Sequence, residues 1–435
     1  MTVSGRFVLL LALGVVPVVV LGQAYDIAGA VLGWWLVLCV LLGIADLCLA
    51  ASPRRLGIER VLPARVRLGE AIVAELYLTN NGRRALRGVV RDAWQPSAGA
   101  VQARFGVRIP AGERRLVSVE LRPFRRGERR VQLTSIRSFG PLGLWARQAS
   151  LVAPGRIRVL PPFASRKHLP SRLARLRELD GRTSVMIRGQ GTEFDSLREY
   201  VRGDDVRSID WRATARREEV VVRTWRPERD RRVVIIIDTG RTSAARIDDE
   251  PRLDTAFEAT LLLAALASAA GDRVDVLAYD RRARARVQGA TGPALLSQLV
   301  DALAPVEPEL LEMDWSSIAA QVRQITNQRS LVVLLTSIET PGSSQGLLAA
   351  LPQLTRRHTV MVASVTDPAT FAAVSVRDDR TSTYLAAAAE RALLDVSRVS
   401  AAVRQLGAEV VTGAPADLPP AVADAYLALK AAGRL

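Results

Sequence analysis

The densest set of chemically capable side chains runs from Glu193 to Arg216. Glu193, Asp195, Glu199, Asp204, Asp205 and Asp210 alternate there with Arg198, Arg202, Arg207, Arg212 and Arg216, and Tyr200 and Trp211 sit among them. Paired carboxylates can do general acid–base work, as in glycoside hydrolysis. A general acid needs a raised pKa, whereas an arginine within a few residues of each carboxylate pushes the other way. No histidine or oxyanion loop accompanies the block. It reads as an ion-pair network that joins neighbouring domains or meets a partner protein. Tyr200 and Trp211 are its expected packed anchors, and Glu193, Arg198, Asp204, Asp205, Arg207, Asp210 and Arg216 its polar members. A hydrolase using the same carboxylates is the alternative, and would require one of them buried and unpaired in a cleft.

A second candidate carboxylate is Asp238. It closes the apolar run Val233 to Ile237, which reads as a buried parallel strand. The C-terminal tips of such strands are where open α/β sheets bind ligands.

Other chemistry is sparse. The two histidines, His168 and His358, lie in unrelated contexts, and the two cysteines, Cys39 and Cys48, share one apolar segment. This pattern excludes a disulfide framework, a cysteine zinc site and a histidine cluster. No Gly-x-Gly-x-x-Gly and no Walker A pattern is present, so a nucleotide cradle has no support. The net charge is +16, almost all of it arginine. Such a charge suits an anionic surface, but no helix-turn-helix, zinc module or aromatic-studded basic strand points to nucleic acid.

The elements that must position these residues fall into four stretches. Residues 1–53 hold two apolar runs, about 7–25 and 27–51, each long enough to cross a bilayer as a helix. Arginines flank both outer ends and only Asp26 lies between the runs. The expectation is a helical hairpin with both ends cytoplasmic. Asp46, inside the second run, is expected as an interfacial carboxylate beside Arg6 or Arg54. Residues 54–165 show short alternating runs, 71–79, 87–92, 116–121 and 129–134, separated by turn signals, which predicts a small antiparallel β-sandwich. The segment Ser138 to Ala146 reads as a loop packing Phe139, Leu142 and Trp145 onto the core. Residues 166–230 form a linker helix and the acid–arginine block. Residues 231–435 alternate strand and helix, which predicts a doubly wound, mostly parallel sheet with helices on both faces.

The run Gly191-Thr-Glu-Phe-Asp-Ser-Leu-Arg-Glu-Tyr, Gly203-Asp-Asp-Val-Arg-Ser-Ile-Asp-Trp-Arg-Ala-Thr-Ala-Arg and the apolar strand ending in Asp238 resemble the family called domain of unknown function 58. Ser138 to Gln148 and Ala425 to Leu435 agree with it. The resemblance implies a membrane-anchored protein of the inner membrane, with soluble domains facing the cytoplasm. It also implies a von Willebrand factor A-like domain and a MoxR-type AAA+ ATPase as partner, with the client protein open. The protein is then a non-enzymatic adapter in protein assembly, maturation or envelope stress.

A von Willebrand A-like fold also implies a metal site with the pattern Asp-x-Ser-x-Ser, a threonine and a later aspartate, whose oxygens suit Mg²⁺. Here Asp238 matches, Gly240 replaces the first serine, and Thr242 stands for the second. Ser337 follows the strand where the last aspartate is due, and Thr291 is a weak candidate for the threonine. This degenerate set predicts an empty site and no cofactor. A Mg²⁺-dependent ligand-binding module is the alternative. Loops 238–249 and 280–292 carry Arg241, Arg246, Arg281, Arg282, Arg284 and Arg286. They are expected to form a positive rim that docks an acidic partner or meets lipid.

Overall fold

Leucine, valine and alanine dominate the first fifty residues, and they fold as helices α1 (Gly5–Leu13), α2 (Val15–Tyr25) and α3 (Ala28–Leu49). The computed structural model describes residues 2–25, 27–186, 193–202, 204–217, 219–226, 231–248 and 250–435. Two stretches, Gly5–Gly22 and Ala28–Arg55, are long and apolar enough to cross a membrane. Their outward faces are unpacked, with Val8, Leu9, Val16, Val20 and Leu41 exposed. The chain forms two compact units, Met1–Leu160 and Pro161–Leu435.

In the first unit, strands β1 (Thr2–Val3), β2 (Leu56–Val61), β3 (Arg65–Arg67), β4 (Ile72–Asn80), β5 (Leu86–Asp92), β6 (Arg104–Ile109), β7 (Arg114–Leu121), β8 (Gly127–Phe139) and β9 (Trp145–Leu160) build two sheets. One runs β1-β9-β8-β5-β6 with β3 beside β9, and the other β2-β4-β7. Alternate side chains of both meet in one core, with Leu76, Leu78 and Val119 facing Val90, Ile136 and Ile157. Within this unit Arg60 grips Asp92 through two N–H···O bonds of 2.7 Å, both side chains being buried. Thr134 and the face of Trp94 complete the setting of the guanidinium and carboxylate.

Asp46 departs from expectation. It is fully buried, and it accepts the backbone N–H groups of Leu142 (2.8 Å), Gly143 (3.3 Å), Leu144 (2.7 Å) and Trp145 (3.1 Å). A carboxylate has lone pairs for about four donors, and this loop supplies them, so no arginine is needed. The loop 140–144 joins β8 to β9 and packs Leu144 and Trp145 against Phe7 and Cys39 of the helices, while Leu142 stays exposed. Phe7 and Trp145 meet edge to face at 5.5 Å. Gly140 is required here because a Cβ would overlap the Asp46 carboxylate.

The second unit opens with α4 (Leu169–Met186), β10 (Glu193–Glu199), α5 (Trp211–Arg217) and β11 (Val221–Arg226). Then come β12 (Arg232–Asp238), a small hairpin of β13 (Arg246–Ile247) and β14 (Glu250–Pro251), and α6 (Arg252–Ala269). Next are β15 (Arg273–Tyr279), β16 (Ala283–Val287), α7 (Gly292–Leu303), α8 (Trp315–Ile325), β17 (Leu331–Leu335) and α9 (Gln345–Thr355). The chain closes with β18 (Thr359–Val365), α10 (Pro368–Ser375), α11 (Arg380–Gln405), β19 (Glu409–Gly413) and α12 (Leu418–Ala431).

The large sheet has the order β16-β15-β12-β17-β18-β19. Its strands pair in parallel except β16, which is antiparallel to β15. Alternation along β12 sorts the two cores. Val233, Ile235 and Ile237 pack with α6, α7 and α12, and Val234 and Ile236 with α8, α9 and α11. The strand β16 is a correction, because the stretch 280–292 was expected as a rim loop. Its small residues Ala283, Ala285 and Val287 alternate with arginines, which is an edge-strand pattern. At the opposite end of β15 from the strand tip, Tyr426 donates to Asp272 at 2.5 Å and Lys430 at 3.1 Å, tying α12 to the sheet.

Candidate functional site

At the tip of β12, Asp238 is buried and both its oxygens are engaged. Oδ1 accepts the Gly240 N–H (2.8 Å) and Oδ2 the Thr336 hydroxyl (2.6 Å). Burial pushes its pKa up despite those bonds. Its neighbour Asp280 takes the opposite course. Burial alone would raise it, but the Arg284 guanidinium at 2.6 Å, the N–H groups of Arg281 and Arg282 and the Thr239 hydroxyl hold it below the usual range.

The residues present do not fit a divalent ion. Ser337 is turned to Arg252, whose guanidinium also pairs with Glu339 at 2.6 Å. Thr291 precedes α7, beyond the far end of β16, where Gly289 N–H reaches Asp275 rather than Asp238. The cavity beside Asp238, lined by Ser243, Arg252, Thr336 and Ser337, holds about 20 Å³, enough for one water. Among the described residues no cluster of three His, Cys, Asp or Glu side chains could hold a metal.

The expected arginine rim is only partly a rim. Residues 307–314 lie over the strand tips, held by Glu309 N–H on Thr239 O, Arg241 N–H on Leu311 O and Asp314 N–H on Asp280 O, each 2.8 Å. Two of their acids answer the arginines: Glu312 pairs with Arg241 at 2.5 Å and Glu309 with Arg284 at 3.0 Å. Arg284, half-buried, is therefore a structural partner of buried Asp280 rather than a docking cation. Arg286 reaches Gln321 at 3.0 Å. Arg281 and Arg282 keep exposed side chains, and Arg246 is exposed on β13. The acid-rich spelling Glu-Pro-Glu-Leu-Leu-Glu-Met-Asp of this cover is the signal that sequence reading passed over.

The acid–arginine block folds as a small module. Strands β10 and β11 pair antiparallel, and Ile209 bridges Val222. Asp210 caps α5 through the N–H groups of Arg212 and Ala213, both 3.0 Å, and pairs with Arg223 at 2.7 Å. The Ala213 N–H, then Arg223, hold its pKa low. Asp204 pairs with Arg198 at 2.5 Å, and Asp205 accepts the Arg207 N–H. These bonds lie within the module. The Glu193 side chain lies outside the described residues.

Trp211 is the other correction. It is 68% exposed, not a packed anchor. It is the first residue of α5, whose inner face is taken by Ala213 and Thr214. Tyr200 is half-buried, with its N–H on Val220 O. The module also exposes Val201, Val206, Arg202, Arg207, Arg212 and Arg216. The three carboxylates beside them, Asp204, Asp205 and Asp210, are engaged. Glu199 and Glu219 are exposed as well, so the described surface of the module mixes apolar, cationic and acidic side chains.

Residues 196–405 match the family described as Protein of unknown function DUF58. Uncharacterized protein Rv1480 of Mycobacterium tuberculosis is 26% identical over 185 residues, which are 42% of this chain and 57% of that protein. Uncharacterized protein Mb1516 of Mycobacterium bovis matches to the same extent. The chain thus spans little more than half the length of these relatives. Among solved structures, the SpRpn10 VWA domain aligns with 46% of this chain and 94% of its own length, at a TM-score of 0.28 and 9% identity.

Proposed function

We propose that this protein is a non-enzymatic, membrane-anchored adapter that docks a MoxR-type AAA+ ATPase through the β10–α5–β11 module. It would present client proteins to that ATPase in assembly, maturation or envelope stress. The observation that carries the reading is Trp211, exposed at the start of α5 beside exposed Arg212 in sequence, while Asp204, Asp205 and Asp210 are bonded within the module. Tryptophan and arginine are the residues that dominate binding energy at protein interfaces, and a cationic field steers an acidic partner. The second unit is taken as a von Willebrand A-like domain that works by contact, without a metal. The anchor is taken as a hairpin in the inner membrane with both ends cytoplasmic. Support comes from the pairing of Thr2 with Ala146 and Val3 with Trp145, which keeps residues before the first span beside residues after the second. The flanking arginines supply the direction.

The test is co-purification from membranes with a MoxR-type AAA+ ATPase of the same source. Trp211→Ala combined with Arg212→Glu is expected to cut recovery at least about tenfold, as for loss of a central hot spot, with unchanged unfolding temperature. Asp210→Ala should instead loosen the module itself, which limited proteolysis would register. Full recovery of the ATPase by the double variant would remove the module as the docking site.

A further inference from the structure

The membrane-side end of the first unit gathers arginine without any answering acid. Four segments meet there. β1 pairs with β9 at Trp145, Asn81 N–H bonds to Arg55 O, and Arg147 Nε donates to Leu47 O at 2.9 Å. Arg84 donates to Cys48 O at 2.6 Å. Residues 2–6, 52–57, 80–87 and 137–148 contain arginine repeatedly and no aspartate or glutamate. Asp46, at the end of α3, is saturated by four backbone N–H groups, and Glu113 beside Asn80 pairs with Arg115.

Two layers of arginine can be distinguished. Arg84 and Arg147 satisfy the last carbonyls of α3, where a helix dipole favours cations. Arg6 lies against Gly143. Arg54, Arg55 and Arg83 are exposed, and Arg55 lies beside Gly82, the neighbour of Arg83. The Asp46 latch fixes this end of the sandwich at the C-terminus of α3, where the apolar span stops. A guanidinium offers a planar fork of donors matched to phosphate oxygens, and an anionic leaflet attracts such side chains within a Debye length.

We infer that Arg54, Arg55 and Arg83 form a binding surface for the phosphate head groups of anionic phospholipid, seated at the collar where α3 leaves the bilayer. This rests on the reading that the apolar helices span a membrane. The ligand is the lipid head group rather than free phosphate, because the arginines are arrayed around the end of a span instead of converging on a cavity.

The experiment uses the full chain in nanodiscs of phosphatidylglycerol mixed with phosphatidylcholine, with retained lipid quantified after detergent extraction. Phosphatidylglycerol is expected to be enriched around the wild type, and to raise its unfolding temperature relative to pure phosphatidylcholine discs. Arg54→Gln, Arg55→Gln and Arg83→Gln together should abolish both effects, at about fivefold in lipid preference per arginine. Arg281→Gln with Arg282→Gln, a control in the other unit, should retain them. Soluble glycerol phosphate should not shift the unfolding temperature. Equal lipid retention by wild type and triple variant, or a shift produced by glycerol phosphate alone, would overturn the proposal. Failure of the wild type to enter nanodiscs would instead overturn the membrane-spanning reading beneath it.

Discussion

Gly43 and Trp145 fit as notch and edge: a β-carbon at Gly43 would stand 2.5 Å from the Trp145 indole. That contact, three residues before Asp46, seats the β8–β9 loop on α3. The apolar contact and the carboxylate latch therefore act on the same loop from adjacent turns of one helix.

Gly43→Ala must push the indole out of its seat. The expected cost is about 1–3 kcal/mol, as for overpacking. Asp46→Ala strips four N–H groups of their acceptor and should cost about 3 kcal/mol or more. Tryptophan emission and thermal unfolding in detergent would register both. An unshifted emission maximum in Gly43→Ala would mean that the loop does not sit there.

Arg284 and Arg282, two residues apart on one turn and strand, should behave differently. Arg284→Glu places a like charge against buried Asp280, and breaking a buried pair costs about 3–5 kcal/mol. Arg282→Glu changes an exposed side chain and should stay within about 0.5 kcal/mol. Denaturant unfolding of the two variants separates a structural arginine from a surface one. Equal stabilities would restore Arg284 to the surface rim.

Asp238 makes stability depend on pH with a definite sign. Its pKa is raised by burial in the folded state, so the protonated form is favoured there. Its contribution is complete below about pH 4, the unfolded carboxylate value, and is lost as pH rises toward the raised folded value. Asp238→Asn should therefore unfold at an equal or higher temperature than wild type at pH 7, with the difference vanishing below about pH 4. A variant less stable than wild type at pH 7 would mean that a cation holds the charged carboxylate, which is the metal-dependent alternative.

Much of the framework was legible because it is local. The strand Leu331–Leu335 has the bounds that its unbroken apolar run suggests. The two apolar runs at the start are legible by length alone. What escaped depends on partners far apart in sequence. Nothing around Asp46 points to a loop 96 residues away. The pairing of Glu312 with Arg241 and of Glu309 with Arg284 depends on how the connection after α7 crosses the strand tips. The exposure of Trp211 turns on its place as first residue of α5, which the charge pattern of the block does not encode. The edge strand β16 was hidden because arginines at alternate positions resemble a polar loop as much as a strand.

The short strand at the very start of the chain has a consequence for biosynthesis. Ser4 bonds to Gly143, a separation of 139 residues. At a synthesis rate of about 5–20 residues per second, the tail must wait on the order of ten seconds for its partner to emerge. Both apolar helices are made during that wait. The sandwich therefore cannot close this edge while the helices are being made, and residues 2–4 stay unpaired, open to chaperones or to a neighbouring nascent chain, until the β8–β9 loop arrives.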